Sequence, residues 1–376
     1  MSKKVRHVLG ISGGKDSAAL AIYLKDNYPQ LDIEYYTADT GKELAETYEL
    51  IDNLEQYLQK PIIKLRGAEK SEHEAFDHFL KQYKGYLPSS QARWCTNKLK
   101  LEPFERFIGD DPVISYVGIR GDEDREGYIS KKPNIQSIFP FRQNIWSEDV
   151  IVKVLANNQL DSLQNNLVDI DHKASEEFEE ILRQPIDSKL SIKKKANLLL
   201  NTDTQAFNKL VFAYLRTSDK PIAQVDDFPL VNDTSILVKK DIFKLLRESK
   251  VGVPKYYEEV DFELDGKIGT YARSRSGCYF CFFQQKIEWV WLYEQHPEMF
   301  EKAVAYEKEG YAWDERETLT ELIQPERIQQ IKRDHLNRQE RQKKRLNTLA
   351  DPSVPADRLL NILGEDQEEG CAACFI

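Results

Sequence analysis

The sequence predicts an α/β protein with a doubly wound, mostly parallel sheet, a helical insertion and a helical C-terminal region. Short apolar runs alternate with longer amphipathic segments near the N-terminus, as in strands joined by crossover helices. A later stretch contains no glycine and has helical periodicity. We therefore expect an α/β core at 1–156, the insertion at 157–240, a segment that completes the core at 241–310, and a polar helical region with a terminal cysteine pair at 311–376.

The first predicted strand and helix enclose the most informative stretch of the chain. Residues 8–11 are apolar and predict a buried strand, and residues 18–24 predict a packed helix. Between them lie Ser12, Gly13, Gly14, Lys15, Asp16 and Ser17. Two glycines at such a turn let backbone N–H groups face a ligand, and the helix adds its positive end. With a lysine and two hydroxyl groups beside them, the turn predicts a polyphosphate site.

This stretch resembles the SGGxDS loop (PP-loop) of the ATP pyrophosphatases, which cleave ATP to AMP and pyrophosphate. It differs from the Walker loop, because only two glycines precede the lysine. The resemblance implies ATP and Mg²⁺ as cofactors and transfer of AMP to a substrate oxygen. It implies that the nucleotide-binding residues are Ser12, Gly13, Gly14, Lys15, Asp16 and Ser17. Among these, Lys15, Asp16 and Ser17 are expected to be catalytic, mainly by stabilising the leaving pyrophosphate.

A second candidate element follows the second predicted strand. Residues 31–37 predict that strand, and Asp39, Thr40 and Gly41 form a turn after it; a helix at 44–58 and a strand at 61–66 come next. Open α/β sheets bind ligands at the carboxyl ends of their strands. A PP-loop followed by this turn is similar to the phosphoadenosine phosphosulfate (PAPS) reductase family. The resemblance implies that Asp39, Thr40 and Gly41 border the adenosine.

Cys95 lies in a basic segment, between Arg93 on one side and Lys98 and Lys100 on the other. Positive charge lowers a thiol pKa and favours a thiolate that binds metal or attacks sulfur. The segment is similar to that of the DNA phosphorothioation proteins within the family. Members with an iron–sulfur cluster have two adjacent cysteines here, and Trp94 replaces one of them. Cys95 is therefore expected to be a catalytic or metal-binding residue.

A further buried strand is predicted at 113–119 and ends at Arg120. The family has a similar Gly-Ile-Arg-x-x-Glu element beside its nucleotide. The resemblance implies that Arg120 is a catalytic residue that holds a phosphate, and that Glu123 or Asp124 orients it. The alternative is an ordinary solvated charged loop.

The five cysteines allow three hypotheses. In the first, Cys95, Cys278 and Cys281 bind a [4Fe–4S] cluster, with Cys374 or Cys371 as fourth ligand or with one iron left open. The resemblance supports this hypothesis, because PAPS reductase-like proteins that hold a cluster have a C-x-x-C at the same place in the order of motifs. In the second, the two C-x-x-C pairs bind zinc and Cys95 is a lone nucleophile. In the third, the terminal pair is a mobile dithiol that delivers reducing equivalents or sulfur.

Composition restricts the partners. The net charge of −10 argues against a uniformly basic surface for nucleic acid, although a local basic patch is present at 332–345. No apolar run has the length of a membrane span, and the N-terminus lacks the apolar region of a signal peptide. We expect a cytoplasmic protein without a membrane partner.

The resemblance to the DNA phosphorothioation proteins implies an ATP pyrophosphatase that adenylates its substrate and supports sulfur insertion into nucleic acid, DNA being favoured, in phage defence. It implies a cysteine desulfurase or another sulfur donor as partner, and other defence-system subunits. One alternative is a sulfonucleotide reductase acting on PAPS or adenosine phosphosulfate, although the Glu-Cys-Gly-x-His ending of that group is absent. Another alternative is a non-catalytic nucleotide-binding subunit of a defence complex.

Overall fold

The computed structural model of the protein describes residues 4–123, 130 and 132–349. The strands in these residues are β1 Arg6–Gly10, β2 Ile33–Ala38, β3 Ile62–Leu65, β4 Val113–Tyr116, β5 Ile135–Ile138, β6 Val260–Leu264 and β7 Lys267–Tyr271. The helices are α1 Lys15–Asn27, α2 Ala45–Leu58, α3 Ala75–Gln82, α4 Trp94–Thr96, α5 Glu102–Ile108, α6 Glu148–Val154, α7 Leu160–Asp169, α8 Glu176–Arg183, α9 Ile192–Thr202, α10 Thr204–Leu215, α11 Lys239–Glu248, α12 Lys286–Gln295, α13 Pro297–Val304, α14 Leu319–Leu322 and α15 Pro325–Leu349. One π-helical turn, Asn97–Leu101, joins α4 to α5.

The main sheet is parallel and has the strand order β3-β2-β1-β4-β5. Strand β1 is central, and its Leu9 is in register with Tyr35 of β2 and Tyr116 of β4. The chain therefore builds the sheet outward on one side of β1 and then continues on the other side. This order confirms the predicted doubly wound α/β class and creates a switch point between β1 and β4, where such sheets bind ligands.

The predicted elements of the first half differ from the observed ones mainly at their ends. The helix predicted at 44–58 is α2, and the strand predicted at 113–119 is β4, which ends three residues earlier, at Tyr116. Strand β5 was not predicted, because its four residues, IQSI, alternate too briefly to be distinguished from a loop.

The glycine-free stretch at 157–240 is helical, as predicted, and it shares the core of the sheet. Leu163 of α7, Phe178 of α8, Leu199 of α9 and Phe207 of α10 are buried in the same apolar cluster as Leu9 of β1. The compositional change near residue 157 is thus not a boundary between two hydrophobic cores.

The C-terminal half has a second apolar cluster. Phe280, Trp289 and Trp313 are buried in it together with Phe76 of α3 and Trp94 of α4. The segment predicted to complete the core divides between the two clusters: α11 packs on α1, whereas β6 and β7 form a separate antiparallel hairpin.

The long helix α15 packs against the second apolar cluster. Lys332 forms an ion pair with Glu294 of α12, and Arg333 forms one with Asp265 in the hairpin turn. No helix in the described part of the chain combines the length and the apolar character needed to cross a membrane. The predicted site residues Asp124, Cys371 and Cys374 lie outside the described residues.

Candidate active site

The phosphate loop connects β1 to α1 and depends on both of its glycines. Gly13 has a φ of +70°, and Gly14 is the N-cap of α1 in extended conformation. A Cβ atom at Gly13 would collide with the side chain of Thr47, and one at Gly14 would lie 2.5 Å from Oγ of Ser276. The loop is therefore a tight backbone cradle, and no side chain caps the helix that follows it.

The Lys15 side chain lies at the mouth of this cradle and is 6% exposed. Its ammonium donates to the carbonyl of Ser274 at 3.2 Å, lies 3.3 Å from a carboxylate oxygen of Asp16, and stands 4.7 Å from the ring centre of Tyr257. The carbonyl, the carboxylate and the ring together hold the ammonium of Lys15 in place beside the loop.

The two serines hold the loop together. The hydroxyl of Ser17 accepts from the backbone N–H of Ser12 at 3.2 Å and donates to the carbonyl of Gly14 at 3.2 Å. The two hydroxyl groups are also 3.2 Å apart. These hydrogen bonds close the turn without using backbone donors of the first helical turn.

Arg120 lies directly beside the phosphate loop. Its guanidinium is 2.9 Å from a carboxylate oxygen of Asp16, 2.8 Å from one of Asp122 and 2.8 Å from one of Glu123. Burial alone lowers the pKa of this guanidinium, but the charges of Asp16 and Glu123 outweigh it, and the pKa is raised overall. The arginine therefore stays charged at the β1–β4 switch point.

Close approach of β4 to the loop is possible because of a third glycine. A Cβ atom at Gly118 would lie 2.9 Å from the carbonyl oxygen of Asp16. The absence of a side chain here lets the chain leaving β4 pass against the first turn of α1, which brings Arg120 to the loop.

A cleft of about 1630 Å³ opens over the phosphate loop. It is lined by Ser12, Gly14, Lys15, Asp16 and Arg120 and by residues of the insertion and of α15. Its basic lining residues are Lys15, Arg93, Arg120, Arg142, Lys193, Lys239, Arg273 and Arg275. Its acidic lining residues are Asp16, Asp122, Glu123, Glu148 and Glu259. The lining is thus net positive although the chain carries −10.

Asp39, Thr40 and Gly41 follow β2, at the same edge of the sheet, but are not among the residues that line this cleft. A carboxylate oxygen of Asp39 accepts from the backbone N–H of Gly41 at 3.0 Å, and the carboxylate forms an ion pair with Arg66 at 3.0 Å. Oγ1 of Thr40 lies 3.2 Å from Sγ of Cys278. The turn therefore faces the C-x-x-C segment, and its role at the adenosine stays a prediction.

The structure brings the cysteine segments to one region. The N–H of Cys281 donates to the carbonyl of Cys278 at 3.1 Å, so the two thiols share one turn. Cys95 and Cys278 both pack against the second apolar cluster, and the guanidinium of Arg93 lies 4.9 Å from the ring centre of Phe283. Burial raises the pKa of the Cys278 thiol and that of the Cys281 thiol.

Within residues 4–123, 130 and 132–349, no three Cys, His, Asp or Glu side chains form a group that could hold a metal ion. The described residues therefore do not by themselves make a complete cluster or zinc site. The three hypotheses for the cysteines, including Cys374 as a ligand, stay predictions.

Residues 273–276 form a strap over the phosphate loop, which was not predicted from the sequence. The N–H and the hydroxyl of Ser274 donate to the buried carboxylate of Glu288 at 2.6 and 2.8 Å, and the Ser274 carbonyl accepts from the ammonium of Lys15. Arg273 donates to the carbonyl of Cys278 at 3.1 Å. Two consecutive residues thus connect the loop to the cysteine turn. The only sequence feature that could have indicated this was the basic composition before the C-x-x-C.

Arg273 is 3% exposed, and in the described part of the chain its Nε and Nη1 have no hydrogen-bond partner. Its guanidinium also lies 5.7 Å from the ring centre of Tyr256, whose hydroxyl donates to the carbonyl of Gly13 at 3.0 Å. Buried donors without a hydrogen-bond partner are uncommon in folded proteins, so the environment of Arg273 is unusual.

Comparison with known proteins supports a class for this site. Residues 6–170 match the phosphoadenosine phosphosulfate reductase domain. This match includes the phosphate loop, Asp39, Cys95 and Arg120, and it ends before the C-x-x-C turn. Together with the relatives below, it supports the PP-loop, PAPS reductase-like superfamily, whose members use nucleotides.

Three curated proteins are similar to parts of the chain. An uncharacterised protein of Methanocaldococcus jannaschii is 33% identical over 155 residues, which are 37% of this chain and 30% of that protein. A second one from the same organism is 26% identical, over 40% of this chain and 37% of that protein. A tRNA-specific 2-thiouridylase of Actinobacillus succinogenes is 24% identical, over 41% of this chain and 46% of that protein. The chain thus spans less than half the length of each of these relatives.

Proposed function

We propose that this protein is a PP-loop ATP pyrophosphatase that adenylates an acceptor and supports insertion of sulfur into nucleic acid, with DNA as the favoured acceptor. The observation that carries the proposal is the glycine cradle with Lys15 and Arg120 at the β1–β4 switch point. The match to a PAPS reductase domain and the similarity to a 2-thiouridylase support a nucleotide-using family.

The residues of the loop fit ATP with Mg²⁺. Gly13 and Gly14 leave the space that a polyphosphate needs, because a Cβ atom at either position would fill it or move its neighbours. Mg²⁺ is commonly bound by one or two carboxylates together with substrate phosphates, and Asp16 would supply that carboxylate. The cation would supply neutralisation of phosphate charge.

The reaction would follow from this arrangement. An acceptor oxygen attacks the α-phosphorus of ATP, the bond to the bridging oxygen breaks, and pyrophosphate leaves with both bonding electrons. Lys15 and Arg120 would stabilise the charge that develops on the leaving pyrophosphate, while the N-terminus of α1 faces the same group. The acceptor then carries AMP. A sulfur nucleophile attacks the activated centre of the acceptor, the bond from that centre to its activated oxygen breaks, and AMP leaves with this oxygen and both bonding electrons. Where the nucleophile is a persulfide, a thiol reductant would supply the two electrons that cleave its S–S bond and release the new sulfur on the acceptor.

We propose that a separate protein supplies the sulfur. A cysteine desulfurase or another persulfide donor is the proposed partner, and defence-system subunits are proposed neighbours in the cell. A [4Fe–4S] cluster at Cys95, Cys278, Cys281 and Cys374, with zinc as the alternative metal, remains a proposed cofactor.

The test is anaerobic incubation of the full chain with α-labelled ATP and Mg²⁺, alone and with DNA, RNA or tRNA. AMP and pyrophosphate are measured. We expect release that one polymer stimulates, and we expect Lys15→Ala to abolish it. Lys25→Ala, at the other end of α1, is the matched control and should retain the activity. Undiminished release by Lys15→Ala would contradict the assignment of the loop.

A sulfonucleotide reductase is the second candidate, and the domain match at 6–170 favours it. That enzyme would bind PAPS or adenosine phosphosulfate and release sulfite in the presence of a dithiol. Sulfite formation without pyrophosphate release from ATP would favour the reductase, and tight nucleotide binding with neither reaction would favour a non-catalytic subunit.

A further inference from the structure

Arg273, in the strap over the phosphate loop, is a buried cation to which the proposed reaction assigns no role. It is 3% exposed, and in the described part of the chain no ion pair joins it to a carboxylate. Its Nη2 donates only to neutral acceptors, the carbonyl of Cys278 at 3.1 Å and the amide oxygen of Gln284 at 3.2 Å. Among the described residues, Nε and Nη1 of Arg273 and Nε2 of Gln284 have no hydrogen-bond partner. A buried charge without a counter-charge is costly, so this cluster of donors points to an anion as its ligand.

The carboxylates of this region are engaged elsewhere or are exposed. Glu288 is buried, and its oxygens accept from two backbone N–H groups and one hydroxyl group. Asp16 forms ion pairs with two other cations beside the loop. Glu148 and Glu259 line the same cleft but are exposed, and neither pairs with Arg273 within the described residues. The charge of Arg273 is therefore not neutralised by a described side chain in contact with it.

Two neighbours place Arg273 beside the phosphate loop. Its guanidinium lies 5.7 Å from the ring centre of Tyr256, whose hydroxyl donates to the carbonyl of Gly13 at 3.0 Å. The next residue, Ser274, accepts at its carbonyl from the ammonium of Lys15 at 3.2 Å. Arg273 also lines the cleft that opens over the loop. An anion held by the loop is therefore the ligand closest to this guanidinium.

We infer that Arg273 binds the pyrophosphoryl group of the nucleotide, together with Lys15 and the glycine cradle. Rotation of the arginine side chain exchanges its two neutral acceptors, on Cys278 and Gln284, for phosphate oxygens. The exchange adds a Coulomb attraction that neutral acceptors do not supply, and such attraction is strong where water is excluded. The planar guanidinium also matches the geometry of phosphate oxygens. The inference rests on the proposed function, in which this group is the leaving pyrophosphate.

Two arginines that lie over aromatic rings provide a matched pair for the test. Arg273 stands 5.7 Å from the ring centre of Tyr256, and Arg247 stands 5.6 Å from that of Phe243. Arg247 is exposed and is not among the described residues that line the cleft. Arg273→Met and Arg247→Met each remove one positive charge and one contact with a ring. A difference between them therefore reports position rather than overall charge.

Binding of inorganic pyrophosphate to the full chain is measured by isothermal titration calorimetry with Mg²⁺ and without nucleotide. We expect Arg273→Met to bind pyrophosphate about 10- to 100-fold more weakly, which corresponds to the loss of one hydrogen-bonded contact to a charged group. Arg247→Met should bind within about 2-fold of the wild type, because exposed charges contribute little. Thermal melting shows whether each variant folds.

Gln284→Glu tests the same site with Arg273 in place, and it decides the question if Arg273→Met does not fold. The new carboxylate replaces an amide whose oxygen lies 3.2 Å from Nη2 of Arg273, so the guanidinium gains a counter-charge within the protein. We expect this variant to melt at a higher temperature than the wild type and to bind pyrophosphate about 10-fold more weakly.

Unchanged pyrophosphate binding by a folded Arg273→Met or by Gln284→Glu would overturn the inference. Equal loss in Arg273→Met and Arg247→Met would overturn it too, as would a wild type that binds no pyrophosphate. Adenosine phosphosulfate is titrated in parallel, and Arg273-dependent binding of this compound alone would count against the inference and favour the sulfonucleotide reductase. Arg273-dependent binding of pyrophosphate, in a protein that releases no AMP from ATP, would refute the proposed function and leave the anion site standing.

Discussion

Gly13→Ala is expected to destabilise the protein and to distort its phosphate loop. Gly13 has a φ of +70°, and an added Cβ atom would lie less than 3.0 Å from Cγ2 of Thr47. The left-handed backbone costs alanine about 1–2 kcal/mol, and overpacking costs about 1–3 kcal/mol. The free energy of unfolding should therefore fall by about 2–5 kcal/mol.

Two further variants separate these contributions. Gly266 in the β6–β7 turn has a φ of +73° and open space around it, so Gly266→Ala should lose only the backbone part, about 1–2 kcal/mol. Thr47→Ser removes the colliding methyl group but keeps the hydroxyl that lies 3.3 Å from the hydroxyl of Tyr256. In the Gly13→Ala background it should recover about 1–3 kcal/mol, as a double-mutant cycle measures.

The assay is urea unfolding followed by tryptophan fluorescence, combined with pyrophosphate release from ATP. Displacement of loop atoms by about 1 Å should lower release about 100-fold, and Thr47→Ser should restore part of it. A Gly13→Ala variant that loses no more stability than Gly266→Ala would contradict a collision with Thr47, as would a Thr47→Ser change that restores neither stability nor activity.

Acid stability is expected to depend on Glu317, whose pKa is lowered from 4.5 to about 2 by hydrogen bonds from Arg327 and Lys286. The ionised Glu317 contributes fully to the free energy of unfolding above pH 4.5, and this contribution is lost as the pH falls toward 2. Over this range, urea unfolding should show that the free energy of unfolding of the wild type falls by up to about 3 kcal/mol more than that of Glu317→Gln. Burial lowers the pKa of Lys195 from 10.5 to about 8. Between pH 8 and 10.5 the unfolded chain binds more protons at Lys195 than the folded chain does. As the pH rises through this range, the free energy of unfolding of the wild type should therefore increase by up to about 3 kcal/mol relative to that of Lys195→Met. Cys278→Ser should reduce the iron or zinc content of anaerobically purified protein, measured by mass spectrometry; equal content would contradict a metal at Cys278.

The phosphate loop and the sheet around it could be predicted because their requirements are local. A buried strand, two glycines and a packed helix follow one another within 20 residues, and each has its own sequence pattern. The switch point then follows from topology, since the order of β1 and β4 decides which loops meet. Arg120 was predicted from the resemblance of the Gly-Ile-Arg-x-x-Glu element after β4, and the structure places its guanidinium beside the loop.

The groups that cover the loop could not be predicted, because they are distant in the sequence. The hydroxyl of Tyr257 accepts from the N–H of Lys15 across 242 positions, and the carbonyl of Ser274 accepts from its ammonium across 259. Neither a backbone carbonyl nor a packed tyrosine has a sequence pattern that identifies its partner. The glycine-free composition of the insertion likewise predicted helices, but not that Phe207 packs in the same core as the sheet.

The candidate active site therefore includes residues of both halves of the chain: the phosphate loop from the N-terminal half and the groups that cover it from the C-terminal half. The domain match ends at residue 170, yet Tyr257, Ser274 and Ser276 contact the loop at Lys15 and Gly14. A fragment that contains only the matched residues would keep the glycine cradle but lose the groups that hold the lysine. Under the proposed function, residues after 170 would therefore contribute to nucleotide binding together with Arg93, Arg120 and Arg142, which also line the cleft. Because the insertion and α15 both line the cleft over the phosphate loop, they would, under the proposed function, influence which molecules reach that loop.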